Sequence, residues 1–167
     1  GQFYSRRFVM TYPNEQLPAG RPLKMAPAHS DMAAAGAVSG NSWDLEVPLY
    51  FAPQGFAETP SLKRSNAFDI VGGECRTVRR DVGLLDITGF SRFEISGPNA
   101  EAWMNKLFAT KLPAPGRARL AVALGHDGRL KGDLTLFNWG DGTWWIMGSY
   151  YLRRWHMRWF DDHMDDG

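Results

Sequence analysis

The residue best placed to do chemistry is Asp133, near the start of a predicted strand in "GRLKGDLTLFNWGDGTWWIMG", residues 128–148. Leu134 and Leu136 supply apolar strand positions, and "WGDG" supplies a turn before the next strand. An Asp is a poor strand residue, so its presence needs a reason. It is either a surface acid paired with Lys131, or a carboxylate that orients a ligand nitrogen or accepts its proton. On physical grounds alone the surface acid is favoured.

The remaining candidates for chemistry are weaker. His156 and His163 are seven residues apart on one predicted helix face, but no further ligands follow at a recognisable spacing, so no metal site is predicted. Cys75, the only cysteine, lies on a predicted apolar helix stripe and is expected in the core. The glycines fit no phosphate-binding pattern, which argues against a nucleotide or flavin bound in that way.

Composition narrows the class of protein. The 167 residues carry a net charge of +1, and 44% are hydrophobic, enough for one domain with a real core. Arginines alternate with acids, so nucleic acid is not an expected partner. No apolar run suggests a membrane span, and a single thiol favours a reducing compartment, which we expect to be the cytoplasm. The chain starts at Gly1 and stops directly after a helical pattern, so we expect either a piece of a longer protein or a short derivative of one.

The first 64 residues contain prolines every few positions and are predicted to be largely irregular. One short helix is predicted from Pro27 to Ala35, because Pro suits a first helical turn and Gly36 suits the end. The segment "VPLYFAP" is a candidate strand.

Residues 65–167 show clearer patterns of helices and strands. A helix is expected from Asp69 to Gly83. The predicted elements that follow it are a strand, a helix, three strands and a last helix. Ser149 is the predicted cap of the last helix. This order predicts an α+β fold, with helices packed on one side of a mainly antiparallel sheet.

Two stretches carry a family resemblance. "VGLLDITGFSRFEISGPNAEAWMNKLFATKLP" followed by "GRARLAVALGHDGRLKGDLTLF" resembles the start of the folate-binding domain of the aminomethyltransferase (glycine cleavage T-protein) family. "KMAPAHSDMAAAGAVSGNSWDLEVPLYFAP" is similar to the segment that links the flavin and folate domains in the dimethylglycine and sarcosine dehydrogenases of that family. The resemblance therefore favours the dehydrogenase branch, with residues 1–64 as linking segment and 65–167 as the N-terminal part of the folate-binding domain.

The resemblance assigns a role to Asp133. The second acid of the family's "DDL" element maps onto it and lines the folate pocket, which reverses the preference for a surface acid. Phe90 and Leu120 map onto further folate-lining positions, while Gly132 replaces the first acid and Gly148 replaces a common Asn. The implied ligands are tetrahydrofolate and a small N-methylated amine. FAD belongs to the parent dehydrogenase and is not expected to bind to this chain.

Three functions stay open on the sequence. The first is the folate-binding portion of an N-methylamine dehydrogenase, which captures the one-carbon unit as methylene-tetrahydrofolate and is incomplete as it stands. The second is a non-catalytic fragment that docks on a separate flavoprotein domain or subunit, with the Trp-rich last helix as the contact. The third, a sulfonium-demethylating methyltransferase of the same superfamily, is disfavoured by the linking segment.

Overall fold

A computed structural model describes residues 2–164 and divides the chain into two compact units, Gly1–Ile87 and Thr88–Gly167. The helix expected to open the second domain belongs to the first unit, so the units divide after residue 87. The predicted boundary at residue 64 concerns the parent's domains and stays a prediction.

The first unit contains a small sheet with the strand order β1-β3-β2, in which β3 is central. Strands β2 and β3 are antiparallel, and β1 joins β3 in parallel. The elements are α1 (Gln2–Ser5), β1 (Lys24–Met25), α2 (His29–Ala34), β2 (Ala37–Ser42), β3 (Leu45–Phe51) and α3 (Ala67–Arg80). The predicted helix and the "VPLYFAP" strand are both present, and the segment is less irregular than predicted.

The backbone shows why this sheet was hard to predict. Trp43 and Asp44 form the two-residue turn between β2 and β3, both at positive φ (52° and 70°), a conformation usually given to Asn or Gly. Pro48 lies in the central strand, where a residue without an N–H is tolerated next to a bulge. The ladder has such a register shift beside Pro48, between Val38 and Ser39.

The apolar stripe predicted on α3 is not a core face. Ala67 is its only buried residue within the described chain, Val78 is largely exposed, and Cys75 is exposed. The prediction that Cys75 lies in the core is therefore wrong. Helical periodicity identified the helix but does not say what covers the stripe. The helix follows Asn66 rather than starting at Asp69, and it ends before Gly83.

The second unit confirms the α+β prediction. Its four-stranded sheet has the order β4-β7-β6-β5, and all neighbours are antiparallel. The elements are β4 (Phe90–Ile95), α4 (Ala100–Leu107), β5 (Arg117–Leu124), β6 (Leu130–Asn138), β7 (Trp144–Ser149), a 3₁₀ turn (Tyr150–Leu152) and α5 (Arg153–Asp161).

The two faces of this sheet differ. Leu134, Leu136 and Ile146 are fully buried on one face, against Met104 of α4 and Phe160 of α5. Successive strand residues alternate between faces, so the odd-numbered residues of β6 project to the other side. We call that side the open face, because α4 and α5 both pack on the opposite one. Its members include Phe90, Arg92, Leu120, Val122, Asp133, Thr135, Met147 and Ser149.

Candidate functional site

Asp133 lies on β6, directly opposite Val122 of β5, with its side chain on the open face and exposed. It makes no ion pair among residues 2–164, so the interpretation as a surface acid paired with Lys131 has no support. The Lys131 side chain lies over the β5–β6 turn instead: its Cε is 2.6 Å from the position that a Cβ on Gly125 would occupy. Asp133 therefore presents an acceptor that the protein does not satisfy by an ion pair.

Leu120 and Phe90 lie on the same face as Asp133. Leu120 is 62% exposed and pairs with Thr135, and Phe90 is 47% exposed and pairs with Ser149. Exposed Leu and Phe side chains on a strand are available to pack on a ligand. The three residues to which the family resemblance gives a folate-lining role thus share one surface, although they come from three different strands.

The register of the sheet gives the spacing between these residues. One row crosses all four strands through Leu120, Thr135, Met147 and Arg92. Strands β6 and β4 run in the same direction, so Asp133 and Phe90 both lie two residues to the same side of that row. They are two strands apart, or about 10 Å at the usual strand spacing. Leu120 is a diagonal neighbour of Asp133, within reach of one flat ligand.

The open face also carries aromatic side chains toward the β6–β7 turn. Trp139 and Trp145 make an edge contact with ring centroids 5.1 Å apart, and the Trp145 indole N–H donates to Glu94 Oε2 at 3.2 Å. Trp145 pairs with Phe137, four residues along β6 from Asp133, so these rings lie at the other end of the open face from the carboxylate.

His156 lies behind Asp133, on the buried side of the sheet. It is 2% exposed, and neither ring nitrogen has a hydrogen-bond partner among the described residues. Burial lowers the pKa of His156 below its usual value, and the negative charge of Asp133 opposes that effect. The ring is therefore neutral near pH 7, packed 6.3 Å from the Phe160 ring in a stacked arrangement.

His156 and Leu134 occupy the space beside the two glycines that depart from the family pattern. A Cβ at residue 132 would lie 2.9 Å from His156 Nε2. A Cβ at residue 148 would lie 2.4 Å from Leu134 Cδ2 and 3.3 Å from His156 Nδ1. The sequence analysis did not find the contact between His156 and these glycines, and the signal for it was two glycines in neighbouring strands where the family has larger residues.

The described residues contain no group of three or more His, Cys, Asp or Glu side chains that could hold a metal ion. Within the same residues, no helix has the length and apolar character needed to cross a membrane.

The chain matches the family model "GCVT N-terminal domain" over residues 28–166, and we conclude that it belongs to this family. The predicted aminomethyltransferase resemblance is therefore confirmed. A fold comparison agrees: glycine cleavage system aminomethyltransferase T from Bartonella henselae superposes with a TM-score of 0.68, covering 87% of this chain and 36% of that one, at 18% identity.

The curated relatives place the chain near the dehydrogenase branch. It is 26% identical to mitochondrial dimethylglycine dehydrogenase from Mus musculus over 161 residues, which is 95% of this chain and 18% of the relative. It is 28% identical to an aminomethyltransferase from Bordetella parapertussis over 131 residues, 75% of this chain and 31% of the relative. A 4-methylaminobutanoate oxidase (formaldehyde-forming) from Paenarthrobacter nicotinovorans is 34% identical over 57% of this chain and 12% of the relative. The chain thus spans less than a third of the length of these relatives.

Proposed function

We propose that this chain is the tetrahydrofolate-binding portion of an enzyme like dimethylglycine or sarcosine dehydrogenase. In the parent enzyme the one-carbon unit released by oxidative N-demethylation of a small amine is captured as methylene-tetrahydrofolate. The observation that carries the proposal is the placement of Asp133, Leu120 and Phe90 on one exposed sheet face.

The donor set fits a reduced pterin. Asp133 offers a carboxylate that can accept a hydrogen bond from a ligand nitrogen and stabilise positive charge near it. Leu120 packs against the flat ring system, and Phe90, about 10 Å from Asp133, packs against the aromatic spacer. Tetrahydrofolate, when bound, supplies the nucleophilic nitrogens that accept the one-carbon unit. In this proposal the chain itself binds no FAD, and a flavoprotein domain or subunit is its partner.

The test is a titration of the whole chain with tetrahydrofolate, followed by Trp fluorescence under anaerobic conditions. We expect saturable binding that Asp133→Asn weakens about tenfold or more, because a hydrogen bond to a charged group contributes roughly 1.5–3 kcal/mol. Asp127→Asn is the matched control, since Asp127 is an exposed acid in the β5–β6 turn. Binding that is absent, or equally strong in Asp133→Asn, contradicts the proposal.

A non-catalytic docking module is the alternative, favoured by one specific observation. Val82, Leu84 and Leu85 are almost fully exposed apolar side chains close together in the first unit. The last helix, which the sequence suggested as the contact, is partly buried through His156 and Phe160. A folded chain that self-associates or binds a flavoprotein while ignoring tetrahydrofolate would favour this alternative.

The cytoplasm remains the proposed compartment, on the ground of the single cysteine.

A further inference from the structure

The second unit contains a cleft of about 360 Å³ at the edge of its sheet, beside strand β4. We call it the arginine cleft. Its lining residues are Phe90, Ser91, Arg92, Phe93, Tyr150, Arg153, Arg154 and Met157.

The charge of this cleft is one-sided. Three of its lining residues are arginines and none is an acid, although the chain as a whole has a net charge of only +1. Within residues 2–164, Arg154 makes neither a hydrogen bond nor an ion pair, and Arg153 is held by Tyr150 alone. The Arg153 guanidinium donates to the Tyr150 hydroxyl at 3.3 Å and lies 4.9 Å from the centre of its ring. Like charges on one lining repel one another, so an anion between them would be stabilised.

The local structure brings these arginines together. Arg92 projects from the edge strand β4, and Arg153 and Arg154 open α5 directly after the 3₁₀ turn. Ser91 forms part of the cleft lining and is already satisfied, because its hydroxyl donates to the Gly148 carbonyl at 3.1 Å. The Arg154 guanidinium is exposed and, with that of Arg153, is available to recognise a ligand.

We propose that the arginine cleft binds a multiply charged anion through its carboxylate or phosphate oxygens. Guanidinium groups suit this task, because each can donate two parallel hydrogen bonds to such a group. The anion has two possible sources. It is either a separate small molecule or the chain of γ-linked glutamates on a folate that lies on the open face. Phe90 belongs to both surfaces, which makes the second source sterically reasonable, and this source rests on the proposed function.

Calorimetric titration of the whole chain tests the site without any folate. The probes are inorganic phosphate and a γ-linked triglutamate peptide. We expect at least one probe to bind with an affinity that falls as salt is added, and Arg154→Gln to weaken it about tenfold through loss of a charge-assisted hydrogen bond. Arg158→Gln is the matched control, since Arg158 lies on the same helix but stacks 5.4 Å from the centre of the Trp155 ring. Absence of saturable binding by both probes, or equal weakening by the two variants, overturns the proposal.

A second pair of titrations distinguishes the sources. If the anion is the folate tail, tetrahydrofolate triglutamate binds more tightly than the monoglutamate, and Arg154→Gln removes that difference. If the anion is separate, both folates bind alike and the peptide or phosphate competes with neither. Phosphate or peptide binding in a chain that ignores folate would support the cleft while contradicting the proposed function.

Discussion

At the scale of single residues, His156 is the side chain that connects the core to the candidate site. It fills the space beside Gly132 and Gly148, and Gly132 immediately precedes Asp133 on β6. Its burial without hydrogen-bond partners favours the neutral ring. Protonation of His156 would place an unpaired charge in the core directly behind the site.

This arrangement predicts a stability loss in mild acid. Because burial lowers the pKa of His156 in the folded chain, the unfolded chain binds the proton more readily, near the ordinary pKa of about 6.5. The free energy of unfolding is therefore highest above about pH 6.5. It falls as the pH is lowered from there toward the pKa of His156 in the folded chain. Urea unfolding between pH 8 and 5 should show this loss in the native chain and a smaller one in His156→Leu.

The control for this measurement is His126→Gln, because His126 lies in the β5–β6 turn, away from the core. It should keep the acid dependence of the native chain. If His156→Leu has the same pH profile as the native chain, His156 is not the titrating group.

At the scale of elements, the sheet of the first unit depends on one nearly buried ion pair. Glu46 of β3 is 3% exposed, and Arg21 donates to it through Nε at 2.8 Å and also through Nη2. Arg21 Nη2 also donates to the Ser39 carbonyl of β2 at 3.1 Å. The Arg21 guanidinium holds the pKa of Glu46 below its usual range. The ion pair therefore stabilises the folded chain above about pH 4.5, and that contribution is lost in stronger acid.

Removing the positive partner should loosen this sheet. Arg21→Met leaves Glu46 buried and unpaired, which costs roughly 3–5 kcal/mol for a buried pair. Amide hydrogen exchange of the β2–β3 ladder measures the local free energy of opening. Lys24→Met is the matched control, because the Lys24–Asp44 pair is exposed and its atoms are 3.8 Å apart, so its loss should cost under about 1 kcal/mol. Equal protection in both variants would show that the buried pair does not hold the sheet.

The elements that the sequence predicted well are those defined by local signals. Strands β5, β6 and β7 alternate apolar positions and are joined by "HDG" and "GDG" turns, whose Gly128, Gly140 and Gly142 have positive φ. The sheet of the first unit depends instead on a turn at Trp43–Asp44 and on a parallel pairing of β1 with β3. Neither leaves a strong pattern in the sequence, because the turn uses an unusual residue and the pairing is not local.

At the scale of the whole molecule, the candidate site was predictable only as a list of residues. Asp133 stood out as an acid in a predicted strand, while its role and the choice of Leu120 and Phe90 came from a resemblance. Nothing in their sequence spacing shows that the three share a face. That relation depends on the strand order β4-β7-β6-β5, which brings the first strand of the second unit beside the last. The arginine cleft was invisible for the same reason, since Arg92 and Arg154 are 62 positions apart in the sequence.

The chain spans under a fifth of the mouse dimethylglycine dehydrogenase to which it is similar. In the proposed function, the open face supplies one wall of the folate site of a longer enzyme. A ligand that contacts one wall binds more weakly than one enclosed on several sides. The face of the sheet that tetrahydrofolate contacts can nevertheless be tested with this chain alone.

The most direct measurement is a set of intermolecular nuclear Overhauser effects between tetrahydrofolate and the methyl groups of the chain. We predict contacts from the ligand ring protons to Leu120, Val122 and Thr135 around Asp133, and none to Leu134 or Leu136 on the buried face. Contacts confined to another surface, or no contacts from a chain shown to be folded, would contradict the assignment of the open face as the folate-binding surface.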